Sequence, residues 1–152
     1  VFEQLTEVNM PSWMPKFMLS PVIRLFVRRS VVQEQLTSSM NAVRKMYMAG
    51  VPIVLGTDSG CWPAFPQLFH GYTTIRELEL LVQAGLTPVD ALRAATINSA
   101  QMLQIKAGEI AVGYAADLIV LSESPLSDVK ALRKLDLVVR GGEIRTPEAW
   151  LQ

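Results

Sequence analysis

Val51-Pro52-Ile53-Val54-Leu55-Gly56-Thr57-Asp58-Ser59-Gly60 joins a short apolar run to a polar turn with glycine at both ends. Val51–Leu55 is unbroken and rich in β-branched residues, the pattern of a strand buried on both faces as in a parallel sheet. Pro52 sits near its start, where a missing N–H does least harm. The adjoining turn puts Asp58 just past the C-terminal end of that expected strand, where open sheets and barrels hold their reactive groups. Glycine on either side lets the backbone bend tightly and a ligand approach. The plainer reading of the same residues is a βα turn, with Asp58 bonding nearby N–H groups. Both readings stand at this point.

Upstream, residues 30–49 repeat apolar side chains at spacings of three and four (Val32, Leu36, Met40, Val43, Met46, Tyr47), predicting a helix with one apolar face. Gly50 comes next as its left-handed C′ residue. Pro21–Arg29 mixes Val22, Ile23, Leu25, Phe26 and Val27 with three arginines. It reads as a helix packed on a larger body, and secondarily as a basic amphipathic helix on a membrane surface. Val1–Ser20 is apolar without a period, the composition of a lid or packed connection.

Downstream, Thr74-Ile75-Arg76-Glu77 fits a capping box opening a helix that Gly85 closes. Thr87-Pro88-Val89-Asp90 opens the next, with Thr87 as N-cap and Pro88 at the first helical position. That helix, residues 88–95, leads into a second around residues 98–103. Helix, buried strand, loop and helix in this order is βα-repeat grammar. The last third changes character. Residues 116–121, 135–140 and 143–145 read as strands, residues 128–134 as a short helix or turn, and Gly141-Gly142 as a two-residue hairpin turn. Three short strands make only part of a small β unit whose other strands lie elsewhere.

Composition narrows the function. The chain has 152 residues, half of them apolar and 18% charged, so it can bury a core. Fourteen basic residues balance 14 acidic ones, which argues against a nucleic-acid partner. The single cysteine, Cys61, fits a reducing, cytoplasmic setting. The single histidine, His70, means that no His- or Cys-rich metal site can be built from this chain alone. The sequence shows no transmembrane run and no leader of the secretory kind, so no membrane partner is expected.

Residues 49–60 closely resemble the end of the catalytic barrel in the metal-dependent amidohydrolase superfamily. Arg76-Glu77-Leu78-Glu79-Leu80-Leu81-Val82, Ala84-Gly85-Leu86-Thr87-Pro88 and residues 91–100 match the family's next segments. Gly108-Glu109-Ile110, Gly113, Ala116-Asp117-Leu118-Ile119-Val120-Leu121 and Ser124-Pro125-Leu126 are similar to the family's return to its small β domain. The resemblance is dense from about Arg44 to Gly142 and the motifs occur in order. The imidazolonepropionase-like and prolidase-like subgroup is the nearest in pattern. The resemblance implies an α/β fold: the C-terminal portion of a (β/α)8 barrel over residues 1–106, then residues 107–152 as strands of a composite β-sandwich domain. Asp58 would end the eighth strand, bind a divalent metal (zinc is the usual one) and accept a proton from the attacking water.

The departures matter equally. The family's His-x-His pair, its central lysine and its two later histidines have no counterpart here. A full barrel needs roughly 250 residues. The chain therefore reads as a C-terminal piece whose remaining metal ligands lie outside it. Tyr114 stands where the family often has lysine, in a turn with no catalytic role expected.

Each other polar candidate has a bland reading beside the functional one. His70 would contact substrate above the barrel mouth, or serve as a loop histidine bonded to local backbone or water. Ser59 would position water or substrate, or satisfy its own turn. Cys61 lacks a partner base and is not expected to be a nucleophile. Trp62, Phe65 and Phe69 would line an apolar pocket or pack their loop. Thr96, Asn98 and Ser99 read as the cap and first turn of a helix, and Asp117 as a bonder of turn amides. Two functions are consistent with these residues. One is a cytoplasmic hydrolase of carbon–nitrogen bonds in cyclic amides, N-acyl compounds or dipeptides. The other is a non-catalytic module acting through a partner chain, a second copy of itself or a missing N-terminal portion.

Overall fold

Residues 29–59 and 70–150 are described by the computed structural model, and they fall into two compact units, 1–38 and 39–152. The expectations for residues 1–28 and for Cys61, Trp62, Phe65 and Phe69 lie outside the described residues. Helix α1, Arg29–Met48, runs as its periodicity predicts and ends at Gly50, whose φ of 76° is the left-handed value expected of a C′ glycine. In the second unit Met40, Val43 and Tyr47 of its apolar face are half-buried, and Met46 is exposed.

Residues 51–55 do not form the expected strand, nor are they buried on both faces. Val51 and Pro52 are exposed, while Ile53, Val54 and Leu55 are half-buried. A strand is defined by a neighbour's hydrogen-bond ladder, and among the described residues no strand pairs with this segment. Bonds to helices hold it instead, beginning with Val51 N–H to the Met46 carbonyl of α1 at 3.0 Å. Leu55 N–H donates to the Ala94 carbonyl at 3.0 Å, and the Asn98 side-chain amide donates to the Ile53 carbonyl at 2.9 Å.

Helix α2, Tyr72–Gln83, begins two residues before the expected capping box. Its N-cap is Gly71, with φ of 78° and no side-chain cap bond, so Thr74 and Glu77 sit inside the helix. Gly85, at φ 109°, closes α2: its own N–H bonds Val82 O and the Leu86 N–H bonds Leu81 O. Helix α3, Pro88–Ala95, starts as predicted, with the Thr87 hydroxyl accepting from Asp90 N–H at 3.1 Å. Helix α4, Ile97–Leu103, comes directly after it. Thr96 stands at its N-cap position but makes no cap bond there; its hydroxyl donates back to Leu92 O. Asn98 and Ser99 likewise do not serve the first turn of α4. Asn98 reaches Ile53, and the Ser99 hydroxyl donates to Ala94 O at 2.8 Å.

Strands β1 (Leu118–Leu121), β2 (Leu135–Arg140) and β3 (Glu143–Arg145) form an antiparallel sheet in that order. Leu118 pairs with Val139 and Val138 with Arg145, and β1 carries an irregularity between Val120 and Leu121. Gly141 and Gly142 both have positive φ, as a tight hairpin turn requires. Asp117 accepts from Gly141 N–H at 2.7 Å, the turn-amide role expected of it. Between β1 and β2, a 3-10 turn at Val129–Arg133 is capped by Asp128. The core joins Leu78 and Leu81 of α2, Leu86, Ala91 and Ala94 of α3, and Val129 and Leu132 of this turn. Ile53 and Leu55 pack at its margin, so the segment leading to Asp58 rests on the core.

Candidate functional site around Asp58

Asp58 lies on an exposed turn and has φ of 49°. Positive φ is uncommon outside glycine, although aspartate tolerates it better than most residues. Such conformations persist where neighbouring structure holds them, and they concentrate at functional sites. The Asp58 carboxylate has no hydrogen-bond or ion-pair partner among the described residues, so the reading in which it satisfies turn amides finds no support there.

The residues beside it are bonded differently. Thr57 and Ser59 share a hydroxyl–hydroxyl bond of 2.6 Å, and the Ser59 hydroxyl also meets Thr73 Oγ1 at 2.5 Å. Thr73 is the second residue of α2, so this contact fastens the Asp58 turn to that helix. His70 precedes α2 by two residues. It is exposed, and its carbonyl accepts from Tyr72 N–H at 3.0 Å. Asp58 and His70 thus flank segments joined through the Ser59–Thr73 contact.

Sequence reasoning passes over Thr73, because the pattern Thr74-x-x-Glu77 draws the cap to its neighbour. The Thr73–Thr74 pair is the available signal, since it offers two adjacent hydroxyls at the helix start. By its local pattern Asn98 is a residue of its own helix, and nothing local reveals its bond to Ile53.

Among the described residues no three His, Cys, Asp or Glu side chains come together as a metal site would require. Asp58 offers a single carboxylate, a donor suited to a divalent ion. The described residues therefore fit one contribution to a metal centre and not a whole centre.

Other ionisable groups are committed to packing. Glu79 is buried; desolvation would raise its carboxyl, but bonds from Arg76 (2.9 Å) and Arg133 (2.8 Å) outweigh that and hold it below the usual range. Arg133 also sits over the Tyr72 ring, 5.1 Å from its centroid. Burial pushes half-buried Glu77 upward, and neighbouring Arg76 opposes the shift. Asp90 is lowered by the Thr87 hydroxyl and then by Tyr47, whose phenol donates to it at 2.7 Å. Tyr114 is raised by its bond to Glu109, which leaves it in a local pairing.

A cavity of about 190 Å³ opens beside the start of the 51–58 segment, lined in part by Tyr47, Pro52, Asp90, Arg93 and Asn98. It is smaller than a usual small-molecule site, and Asp58 does not line it.

The amidohydrolase family model matches residues 17–145. The chain is 34% identical over 114 residues to an ochratoxinase of Aspergillus niger, covering 70% of this chain and 22% of that protein. Over 83 residues it is 37% identical to an imidazolonepropionase of Symbiobacterium thermophilum, covering 52% of this chain and 18% of that one. It is similar in structure to a Xaa-Pro dipeptidase with bound methionine in the active site. That match has a TM-score of 0.61 and 31% identity, and covers 70% of this chain and 25% of the dipeptidase. The chain spans about a fifth of the length of these two curated relatives.

Proposed function

Because the chain belongs to the amidohydrolase family, we propose that it is the C-terminal part of a metal-dependent hydrolase acting on carbon–nitrogen bonds of small molecules. In this reading residues 1–106 complete a (β/α)8 barrel and residues 107–152 supply strands of a composite β domain. The substrates are cyclic amides, N-acyl compounds or dipeptides, and the protein works in the cytoplasm. The similarity to an imidazolonepropionase and to a Xaa-Pro dipeptidase supports that substrate range.

The observation that carries the reading is Asp58: an exposed carboxylate with no partner among the described residues, held in left-handed backbone at the end of a segment seated on the core. We assign it as a metal ligand and as the acceptor of the proton released when water attacks the substrate. A divalent ion, zinc being the usual one, would lower the pKa of water at this centre. Its other ligands lie outside this chain. His70 is the second candidate, a hydrogen-bond donor to the substrate's carbonyl or carboxylate.

Asp58→Asn in the complete protein tests the assignment. Asparagine keeps the shape and tolerates positive φ, so the melting midpoint should move by no more than about 2 °C. Turnover of an N-acyl amino acid and an X-Pro dipeptide panel should fall by about 10³-fold. Activity within tenfold of the parent would overturn the general-base role.

A non-catalytic module acting through association is the second reading. The open apolar surface of β1 favours it, since Leu118, Ile119 and Val120 are all exposed. It predicts no turnover by the complete protein and no effect of the Asp58 substitution.

A further inference from the structure

Gly56 and Gly60 leave the Asp58 turn with little stiffness of its own, so the φ of 49° at Asp58 calls for neighbours that hold it. Three hydroxyls supply one. Thr57 and Ser59 stand on either side of Asp58 and bond each other, and the Ser59 N–H also donates to Thr57 Oγ1 at 3.3 Å. The Ser59 hydroxyl then joins Thr73 on α2, fourteen residues away in sequence. All three residues are half-buried, where water competes less for such bonds. A serine hydroxyl carries one proton and two lone pairs, and two neighbours already engage Ser59. Little capacity remains for substrate.

We propose that Ser59 and Thr73 are positioning residues, whose hydroxyl pair fastens the Asp58 turn to α2 and fixes the direction of its carboxylate. The inference rests on the role of Asp58 proposed above. A rigid helix sets the position of Thr73, Thr73 sets Ser59, and Ser59 limits the backbone of its neighbour. A displacement of about 1 Å at a reacting group can cost 10²-fold in rate. The pair therefore acts on turnover more than on substrate affinity.

The test uses the complete protein and the substrate panel above. Thr73→Val keeps the side-chain volume and removes the hydroxyl; kcat should fall by about 30-fold with KM within about threefold. The melting midpoint should drop by no more than about 4 °C, the scale of one lost hydrogen bond. Thr73→Ser should restore kcat to within about threefold of the parent. Ser59→Ala should reproduce the loss, and the double variant should be no worse than the poorer single one, because both substitutions break the Ser59–Thr73 contact. Hydrogen exchange provides a readout apart from turnover: amides of residues 57–59 should exchange about tenfold faster in Thr73→Val.

Parental kcat in Thr73→Val, multiplicative losses in the double variant, or failure of Thr73→Ser to rescue would each overturn the proposal. If Thr73→Val does not fold, Ser59→Ala and its exchange rates decide the matter alone. Asp58→Asn separates the two failures. Its inactivity beside a fully active Thr73→Val overturns only the positioning role, whereas an active Asp58→Asn removes the premise and the inference together.

Discussion

Helices α2 and α3 mix apolar residues with charged ones and strand β1 is wholly apolar, yet Leu78, Leu81, Ala91 and Ala94 keep 0–5% of their surface while Leu118, Ile119 and Val120 keep 37–48%. The strand is the more apolar of the two regions and yet the more exposed, so it is the neighbours that decide. The helices face each other and the 3-10 turn, and Ala91 and Ala94 are small enough to let the backbones approach. Strand β1 has a hydrogen-bonding partner in β2, but of its four residues only Leu121 packs against the core, and the three before it stay exposed. A hydrogen-bond ladder does not by itself remove apolar surface from water, and β1 shows the two requirements separated. The proposed composite domain would supply the absent cover from outside the described residues.

Three substitutions probe this contrast. The largest effect is expected at Gly108, where a Cβ would lie 2.6 Å from the Thr96 backbone carbon at φ of 82°. The obstructing atom belongs to backbone and not to a flexible side chain, so Gly108→Ala should destabilise the complete protein by about 4 kcal/mol in urea titration. A change under about 1 kcal/mol would show that the α3–α4 junction yields more readily than its packing suggests.

Glu79 comes next. Glu79→Gln removes the charge shared by Arg76 and Arg133 and should cost about 2 kcal/mol at neutral pH. The folded carboxyl titrates below its ordinary value. Its contribution is therefore fully present above the unfolded pKa and is lost as pH falls through the folded one. Stability curves of parent and variant should converge in acid, and a constant gap between them would exclude the ionic contribution.

The smallest effect is expected on β1. Ile119→Thr should change the stability of the 152-residue chain by less than about 0.5 kcal/mol, since Ile119 is 48% exposed. In the complete protein the same change should cost about 1–2 kcal/mol if a second layer covers it. Equal costs in both would mean that β1 stays open.

Legibility in the sequence tracks the range of the interactions. Thr87, Pro88 and Asp90 announce α3, and Gly141-Gly142 announces the β2–β3 hairpin, because caps and tight turns are decided within a few residues. Residues 51–55 carry the composition of a buried strand, but a strand also needs neighbours, and here Ala94 and Asn98 stand in for a ladder. The start of α2 is displaced from its expected place because Thr74 and Glu77 satisfy a pattern that Gly71 pre-empts. Asp58 is recognisable from its place after an apolar run between glycines. Its φ, and the hydroxyl contact between Ser59 and Thr73 fourteen residues further on, depend on tertiary placement that no local pattern encodes.

The Asp117–Gly141 bond has a consequence for how the sheet avoids mispairing. Strands usually find their alignment because a slip of one residue would expose a buried face. That safeguard is weak for β1, whose residues are all open except the last. The work of choosing one alignment passes to its ends. At one end Asp117 grips the hairpin amide of Gly141 and Ala116 O takes the Gly142 N–H; at the other the pairing breaks step between Val120 and Leu121. A shifted pairing would forfeit both fixtures together, so the strand carries its own error check before any second layer arrives.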